Sequence, residues 1–86
     1  MSAGTVSVLY FAALRDLAGV SEDAVELPAA RLRVEELLAE LESKRPALRG
    51  RLRAGVRVAV NEEFVELSQA LSTGDVVALI PPVSGG

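Results

Sequence analysis

The sequence predicts a small α+β domain in which one main helix covers one face of a sheet of four to five strands. Three observations support this fold class. The chain has 86 residues and is 50% hydrophobic, which suits one globular domain. Short strand-like segments alternate apolar and polar residues, and one longer segment has helical spacing. The first and last strands are largely apolar on both faces, so we expect them to be neighbours in mid-sheet.

The N-terminal part of the chain predicts a strand, a short helix and a second strand. Alternating apolar and polar residues predict the first strand over residues 5–11. Ala12–Ala18 suits a short helix, and Gly19 is its stop signal because glycine accepts a left-handed conformation. The second strand is predicted over residues 24–27, and Pro28 closes it.

The main helix is predicted over Val34–Lys44. Acidic residues occupy its first turn and basic residues its last, which matches the helix dipole. Pro46 then ends the helix, and Arg33 is a weak N-cap because Ser or Asp would accept a backbone hydrogen bond there. The apolar residues that share one stripe are Val34, Leu37, Leu38 and Leu41.

The C-terminal part of the chain supplies three further strands, over residues 56–60, residues 64–67 and Val76–Ile80. The last strand is apolar at every position, as expected of a central strand. One helix covers only one face of such a sheet, so the other face keeps apolar side chains that we interpret as a partner-binding patch. The alternative is that the loop of residues 47–55 folds over that face.

Composition and charge exclude several classes of function. The chain has no Cys and no His, which removes disulfides, iron–sulfur clusters, thiolate nucleophiles, the usual zinc sites and the commonest general base. A net charge of −3 argues against nucleic-acid binding. No apolar segment approaches the ~20 residues of a membrane helix. No signal peptide is visible, so we expect a cytoplasmic protein.

Two charged segments are weaker candidates for a site. Residues 44–57 hold six of the nine basic residues and no acid. They could attract an acidic partner or a nucleotide phosphate, but the lack of interleaved aromatic residues favours a solvated helix end and loop. Glu62 and Glu63 point apart in a turn and are interpreted as surface, and Asp75 is expected to shape its turn. The sequence therefore predicts no enzyme active site of its own.

The chain is expected to divide into a domain of residues 1–80 and a tail of residues 81–86. Pro81 and Pro82 have no N–H to donate, so the ladder of the last strand stops there. Both prolines favour an extended path, and six residues reach roughly 20 Å from the sheet. The tail is therefore expected to project from the domain.

The tip of the tail is the chemically informative part of the sequence. Gly85 and Gly86 have no Cβ, so the backbone can pass through a channel too narrow for a side chain. The reactive group there is the carboxylate of Gly86, which becomes an acyl donor after activation, for example as a mixed anhydride with AMP. A slim tip on an inert body suits a carrier that is delivered to the active sites of other enzymes.

The sequence as a whole resembles the small subunit of molybdopterin synthase, a ubiquitin-like sulfur carrier of molybdenum cofactor biosynthesis. Residues 8–19, 58–61 and 74–86 carry the resemblance, and Pro-Pro-Val-Ser-Gly-Gly at the end is its most specific part. The resemblance implies a ubiquitin-like β-grasp fold with a mixed sheet. That fold agrees with the placement of the first and last strands side by side.

The resemblance also implies a chemical route. An adenylating enzyme of the ubiquitin-activating type would use ATP to convert the carboxylate of Gly86 to an acyl-adenylate, and a sulfur donor would then make the thiocarboxylate. The tail would enter the large subunit of the synthase, which supplies the catalytic residues. Sulfur would pass to precursor Z (cyclic pyranopterin monophosphate) to form the dithiolene of molybdopterin. The usual assembly is a heterotetramer, and no cofactor is expected on the carrier.

The resemblance assigns roles to particular residues of this chain. Gly86 is expected to bear the sulfur, and Gly85 is its slim neighbour. For Phe11 and Ile80 the alternative is ordinary core packing. The Arg-rich connection of residues 48–57 matches no motif of the family. The residues expected along the entry channel are Val83 and Ser84, and those expected in the docking surface are Phe11, Ile80, Pro81 and Pro82.

Three other functions remain open on the sequence. The sulfur carrier of thiamine synthesis shares the fold and the diglycine, but the Pro-Pro-Val-Ser approach and the longer chain favour molybdopterin synthase. A ubiquitin-like tag would be joined through Gly86 to lysines of target proteins. A plain binding module would have an inert tail.

Overall fold

A computed structural model describes residues 4–27, 32–52 and 55–82 of the chain. The strands are β1 (Thr5–Tyr10), β2 (Glu22–Glu26), β3 (Leu32–Arg33), β4 (Arg57–Val60), β5 (Glu63–Val65), β6 (Ala70–Leu71) and β7 (Val76–Ile80). The helices are α1 (Ala12–Ala18) and α2 (Val34–Lys44), and a 3₁₀ turn follows α2 at Pro46–Leu48.

The main sheet has five strands in the order β2-β1-β7-β4-β5. β1 and β7 pair in parallel at its centre, and the other pairs are antiparallel. β3 and β6 form a separate two-stranded pair at the start of α2. This is a ubiquitin-like β-grasp fold. The predicted fold class is therefore confirmed, as is the prediction that the first and last strands are neighbours.

The element boundaries show where the sequence pattern was sufficient. α1, α2 and β7 have the predicted bounds, and Gly19 ends α1 in the left-handed conformation with φ 78°. β2 begins earlier than predicted, at Glu22, because its first residues are acidic and do not show the apolar pattern of a strand. β5 ends at Val65 and is shorter than predicted. β3 and β6 were missed because two residues are too few to show a period.

The core lies between the sheet and the helices. Leu37 and Leu41 of α2 are fully buried between the helix and the face of the sheet that it covers. Leu48 and Leu52, from the loop after α2, belong to the same buried cluster with exposed fractions of 0% and 1%. The described part of the loop therefore packs with the helices. The alternative that the loop covers the opposite face of the sheet is wrong for that part.

A buried charge ties the helices to the sheet. Asp23 of β2 is 7% exposed, and the guanidinium of Arg45 donates to both of its oxygens, from Nε to Oδ2 and from Nη2 to Oδ1, each at 2.6 Å. The hydroxyl of Tyr10 donates to Oδ2 at 2.7 Å. Nη1 of Arg45 also donates to the carbonyl oxygen of Ala18 at 3.1 Å. One carboxylate thus joins β1, β2 and the residue that follows α2, and through Arg45 it reaches the end of α1.

The same contacts shift the pKa values of Asp23 and Tyr10. Hydrogen bonds from Arg45, with a smaller contribution from Tyr10, lower the pKa of Asp23 to about 2 from an ordinary value of 3.8. Burial, and then the hydrogen bond to the Asp23 carboxylate, raise the pKa of Tyr10. Asp23 is therefore ionised in the folded protein at every pH above that of strong acid.

The Asp23 cluster predicts a specific loss of stability in acid. The pKa is lower in the folded than in the unfolded chain, so ionised Asp23 stabilises the fold fully above about pH 4. This contribution of about 2 kcal/mol is lost as the pH falls toward 2. Urea unfolding between about pH 2 and pH 7 measures it. Asp23→Asn should lose this part of the pH dependence, whereas Glu26→Gln, an exposed carboxylate on the same strand, should keep it. An unchanged acid limb in Asp23→Asn would contradict the assignment.

Candidate functional site

The tail begins at the end of the central strand. Ile80 is the last residue of β7 and pairs with Arg57 of β4. Pro81 is half-buried and Pro82 is exposed. The loop before β4 passes close by: a Cβ added at Gly55, where φ is +75°, would lie 3.3 Å from Cβ of Pro82. A glycine therefore meets two needs there, the left-handed backbone and the close approach to the start of the tail.

The rest of the tail falls outside the described residues. The four residues with predicted roles that lie there are Val83, Ser84, Gly85 and Gly86. Their roles stay predictions. Phe11, Ile80, Pro81 and Pro82, the predicted docking surface, are all described.

The face of the sheet opposite the helices carries an apolar surface, which we call the open face. Leu9, Ala78, Ala59 and Phe64 are successive cross-strand neighbours, so their side chains point to this same side. Beside them runs a groove of about 450 Å³. It is lined by Leu9, Phe11, Asn61, Glu62, Val76 and Ala78. The apolar surplus predicted from the sequence is therefore present in the described part of the chain.

Phe11 and Ile80 lie at the end of the open face from which the tail leaves. Phe11 occupies the N-cap of α1 in an extended conformation, and its carbonyl oxygen accepts a hydrogen bond from the N–H of Leu14 at 3.0 Å. Phe11 is 45% exposed, so the core-packing alternative is wrong for this residue. Ile80 is half-buried and shares a cross-strand pair with Arg57, whose side chain reaches over the open face. The structure thus brings Phe11 and Ile80 to the same end of the sheet.

Phe64 is a surface residue of this face that the sequence did not reveal. It is 56% exposed, and the guanidinium carbon of Arg57 lies 3.9 Å from the centre of its ring, a cation–π distance. Asn61 and Glu62 have φ values of 51° and 72°, as in the two-residue turn that sets a tight hairpin register. That register places Phe64 opposite Ala59. The residue that could have indicated this hairpin register from the sequence is Asn61, because asparagine tolerates a positive φ in a tight turn.

The polar residues near the open face hold turns together. The side-chain amide of Asn61 donates to Asp75 Oδ1 at 2.9 Å and its oxygen accepts from the N–H of Val76 at 3.0 Å. Asp75 Oδ2 accepts from the N–H of Ser72 at 2.8 Å. The prediction that Asp75 shapes its turn is confirmed. Glu62 and Glu63 are exposed, as predicted.

Two kinds of site are not found in the part of the chain that the structure describes. Within residues 4–27, 32–52 and 55–82, no three or more acidic side chains are grouped so that they could hold a metal ion. Over the same ranges, no helix combines the length and apolarity needed to cross a bilayer.

The comparison with protein families and curated proteins gives a consistent result. The model of the ThiS family matches residues 8–86. A molybdopterin synthase sulfur carrier subunit from Chlamydomonas reinhardtii is 43% identical over 83 residues, which cover 94% of this chain and 98% of that relative. The family resemblance predicted from the sequence is therefore confirmed.

Two solved structures extend the comparison to the fold. The crystal structure of SAMP1, the small archaeal modifier protein 1 of Haloferax volcanii, superposes with a TM-score of 0.87 at 32% identity, covering 96% of this chain and 100% of the other. A protein described as subunit 1 of a molybdopterin converting factor from Pyrococcus furiosus superposes with a TM-score of 0.82 at 36% identity, covering 94% and 100%.

Proposed function

The chain belongs to the ThiS family, and we propose that it is the sulfur carrier subunit of a molybdopterin synthase. The observation that carries this proposal is the identity of 43% over nearly the whole length of a relative with that name. The fold supports it, because the final strand is central and leads directly into the diglycine tail. Such a carrier needs a rigid attachment for its tail, a narrow tip and one carboxylate.

The carboxylate of Gly86 is the group that reacts. One of its oxygens attacks the α-phosphorus of ATP in an adenylating enzyme of the ubiquitin-activating type, which forms the acyl-adenylate and releases pyrophosphate. Sulfur at the oxidation level of sulfide, supplied by a donor, then attacks the acyl carbon and displaces AMP, and the product is the thiocarboxylate. In the large subunit of the synthase the sulfur passes to precursor Z, and water restores the carboxylate. Each loaded carrier delivers one sulfur atom, so the two sulfur atoms of the molybdopterin dithiolene require two such deliveries.

The domain itself contributes binding and positioning rather than catalysis. Without Cys or His it lacks the usual nucleophile and the usual base near neutral pH. The adenylating enzyme supplies the ATP site, and the large subunit supplies the residues that act on precursor Z. The carrier holds no cofactor of its own. We place these steps in the cytoplasm.

The open face is the surface that docks on the large subunit. Phe11 and Phe64 are large, exposed and apolar, and Ile80 lies on the same face next to the start of the tail. Phe11 and Phe64 are 45% and 56% exposed in the free domain, so completing their burial contributes roughly half of the ~1.5–3 kcal/mol that full burial of such a side chain gives. Because this face adjoins Pro81, docking on it aims the tail into the partner.

A second candidate function rests on the superposition with SAMP1. That protein is named a modifier and matches this fold with a TM-score of 0.87. A modifier would use the same activated Gly86 but transfer it to lysine amines of other proteins. The two functions differ in the product formed after activation, so one measurement separates them.

Intact mass spectrometry tests the proposed chemistry at Gly86. After incubation with an adenylating enzyme, ATP and a sulfur donor, the mass of the chain should rise by the difference between one sulfur and one oxygen atom. A variant with one extra residue after Gly86 is the control and should not change, because its carboxylate is displaced from the activating site. Ladders of conjugates on other proteins would support the modifier instead. No change in mass under any condition would contradict both functions.

Replacing Gly85 tests whether the tip enters a narrow channel. Gly85→Trp should abolish molybdopterin formation while leaving the urea midpoint of the domain unchanged, because a large side chain does not fit a channel that admits a glycine backbone. Gly85→Ala is the matched control and should retain intermediate activity. Full activity of Gly85→Trp with the large subunit would rule out insertion.

Truncating the aromatic side chains tests the open face as the docking surface. Phe11→Ala combined with Phe64→Ala should raise the Kd for the large subunit at least about tenfold, since apolar anchors of this size dominate interfaces. Titration calorimetry measures the change. Gln69→Ala is the control, because Gln69 is exposed and uncharged but belongs to neither the row of side chains nor the groove that defines the open face. Equal affinities for the double variant and the control would exclude this surface.

A further inference from the structure

The described parts of the Arg-rich connection, residues 48–52 and 55–57, lie beside the start of the tail. β1 and β7 run parallel and β4 runs opposite to β7, so Tyr10, Ile80 and Arg57 share one end of the sheet. We call this end the tail pole. The 3₁₀ turn Pro46–Leu48 contacts α1, and α1 contacts β7, so the connection starts at the same end. Its far end reaches Gly55, which is adjacent to Pro82.

Three arginines of the connection are presented to solvent at the tail pole. Arg49, Arg51 and Arg57 are exposed. Among the residues that the structure describes, none of the three takes part in an ion pair. Arg45 is different, because it is engaged by Asp23. The solvated-loop interpretation therefore fits these three residues, and it leaves their charge available to a partner.

The backbone that carries Arg49 and Arg51 is fixed at both ends. Leu48 and Leu52 are 0% and 1% exposed, so the segment between them is pinned to the core. Within it, the N–H of Gly50 donates to Oε2 of Glu42 at 2.8 Å. A charged segment held in this way meets a partner with little further loss of backbone entropy.

The other end of the sheet has the opposite charge. The turn between β4 and β5 carries Glu62 and Glu63, and β2 finishes with Glu26 at the same end. Acids also occur at the tail pole, namely Asp16, Glu22, Asp23, Glu42 and Glu66, the last of which lines the same groove as Arg57. Of these, Asp23 is paired with Arg45 and Glu42 accepts the N–H of Gly50. The mild net charge of −3 thus hides a separation of charge along the strands.

We propose that Arg49, Arg51 and Arg57 form a cationic docking surface that meets an acidic rim around the mouth of the channel in the large subunit. This inference rests on the proposed function, because insertion of the tail brings the tail pole against that mouth. Arg57 also lies over Phe64 of the open face, so the cationic surface is continuous with the apolar one. The arginines are spread along the connection with no aromatic residue between them, which suits a broad protein surface better than a single phosphate.

A surface of this kind acts chiefly on the rate of association. Exposed opposite charges attract partners over about one Debye length, ~10 Å at 0.1 M salt, and orient them before contact. For this carrier, orientation matters because the tail must arrive tip-first. The acidic end of the domain would be repelled by the same rim, so the charge separation turns the tail pole toward the channel.

Stopped-flow association with the cognate large subunit tests the inference. The variant Arg49→Gln/Arg51→Gln should lower the association rate constant at least about fivefold at ~50 mM NaCl, and the difference should vanish at ~500 mM. Arg33→Glu is the matched control, since it changes the net charge by the same amount at an exposed site in the cap of α2. It should stay within about twofold of the unmodified chain. Urea midpoints establish that both variants are folded.

The outcomes distinguish a failure of the cationic docking surface from a failure of the proposed function. An unmodified chain that binds with a rate independent of salt, or a double variant that binds as fast as the control, would overturn the cationic docking surface and leave the carrier function standing. A faster double variant would show a basic rim and overturn it as well. An unmodified chain that fails to bind the large subunit would remove the proposed function, and this inference with it.

Discussion

The parallel pairing of β1 with β7 is the constraint on which the rest of the structure depends. It places the last strand between β1 and β4, where Val77 and Leu79 are fully buried on the helix side. A central strand is hydrogen-bonded on both edges and does not fray as an edge strand does. The tail therefore starts from the most strongly held part of the sheet. Because every other element lies between β1 and β7 in the chain, this anchor forms only when the whole domain has folded.

The length of the chain explains why one face of the sheet is not covered by helices. An 86-residue domain can cover a sheet with one layer of helices, and here both helices and the buried leucines of the loop lie in that one layer. On the other side, small residues (Ala59 and Ala78) occupy the middle of the sheet, and Phe64 stands at one flank. Because small residues lie between larger ones, this surface is slightly concave rather than flat. The open face is thus a consequence of chain length and residue size together.

The sequence was most informative where a pattern extends over many residues. The spacing of apolar residues predicts α2 at its observed bounds, and an unbroken apolar run predicts β7. Asp23 was missed although it alternates with the buried Val25, because a charged residue at a core position is normally taken as a boundary. Its partner, Arg45, is 22 positions away, and no local pattern signals such a pair. The roles of residues 83–86 rest on their chemistry and on the family resemblance.

On the proposed function, the apolar and the cationic surfaces have different tasks. A carrier visits an adenylating enzyme and a synthase in turn, so each complex must form quickly and also come apart. Apolar burial acts mainly on the rate of dissociation, and charge acts mainly on the rate of association. Enlarging the open face would prolong each complex, whereas adding cations at the tail pole would speed the encounter without that effect. A small apolar open face beside three exposed arginines is therefore the arrangement expected of a protein whose turnover depends on changing partners.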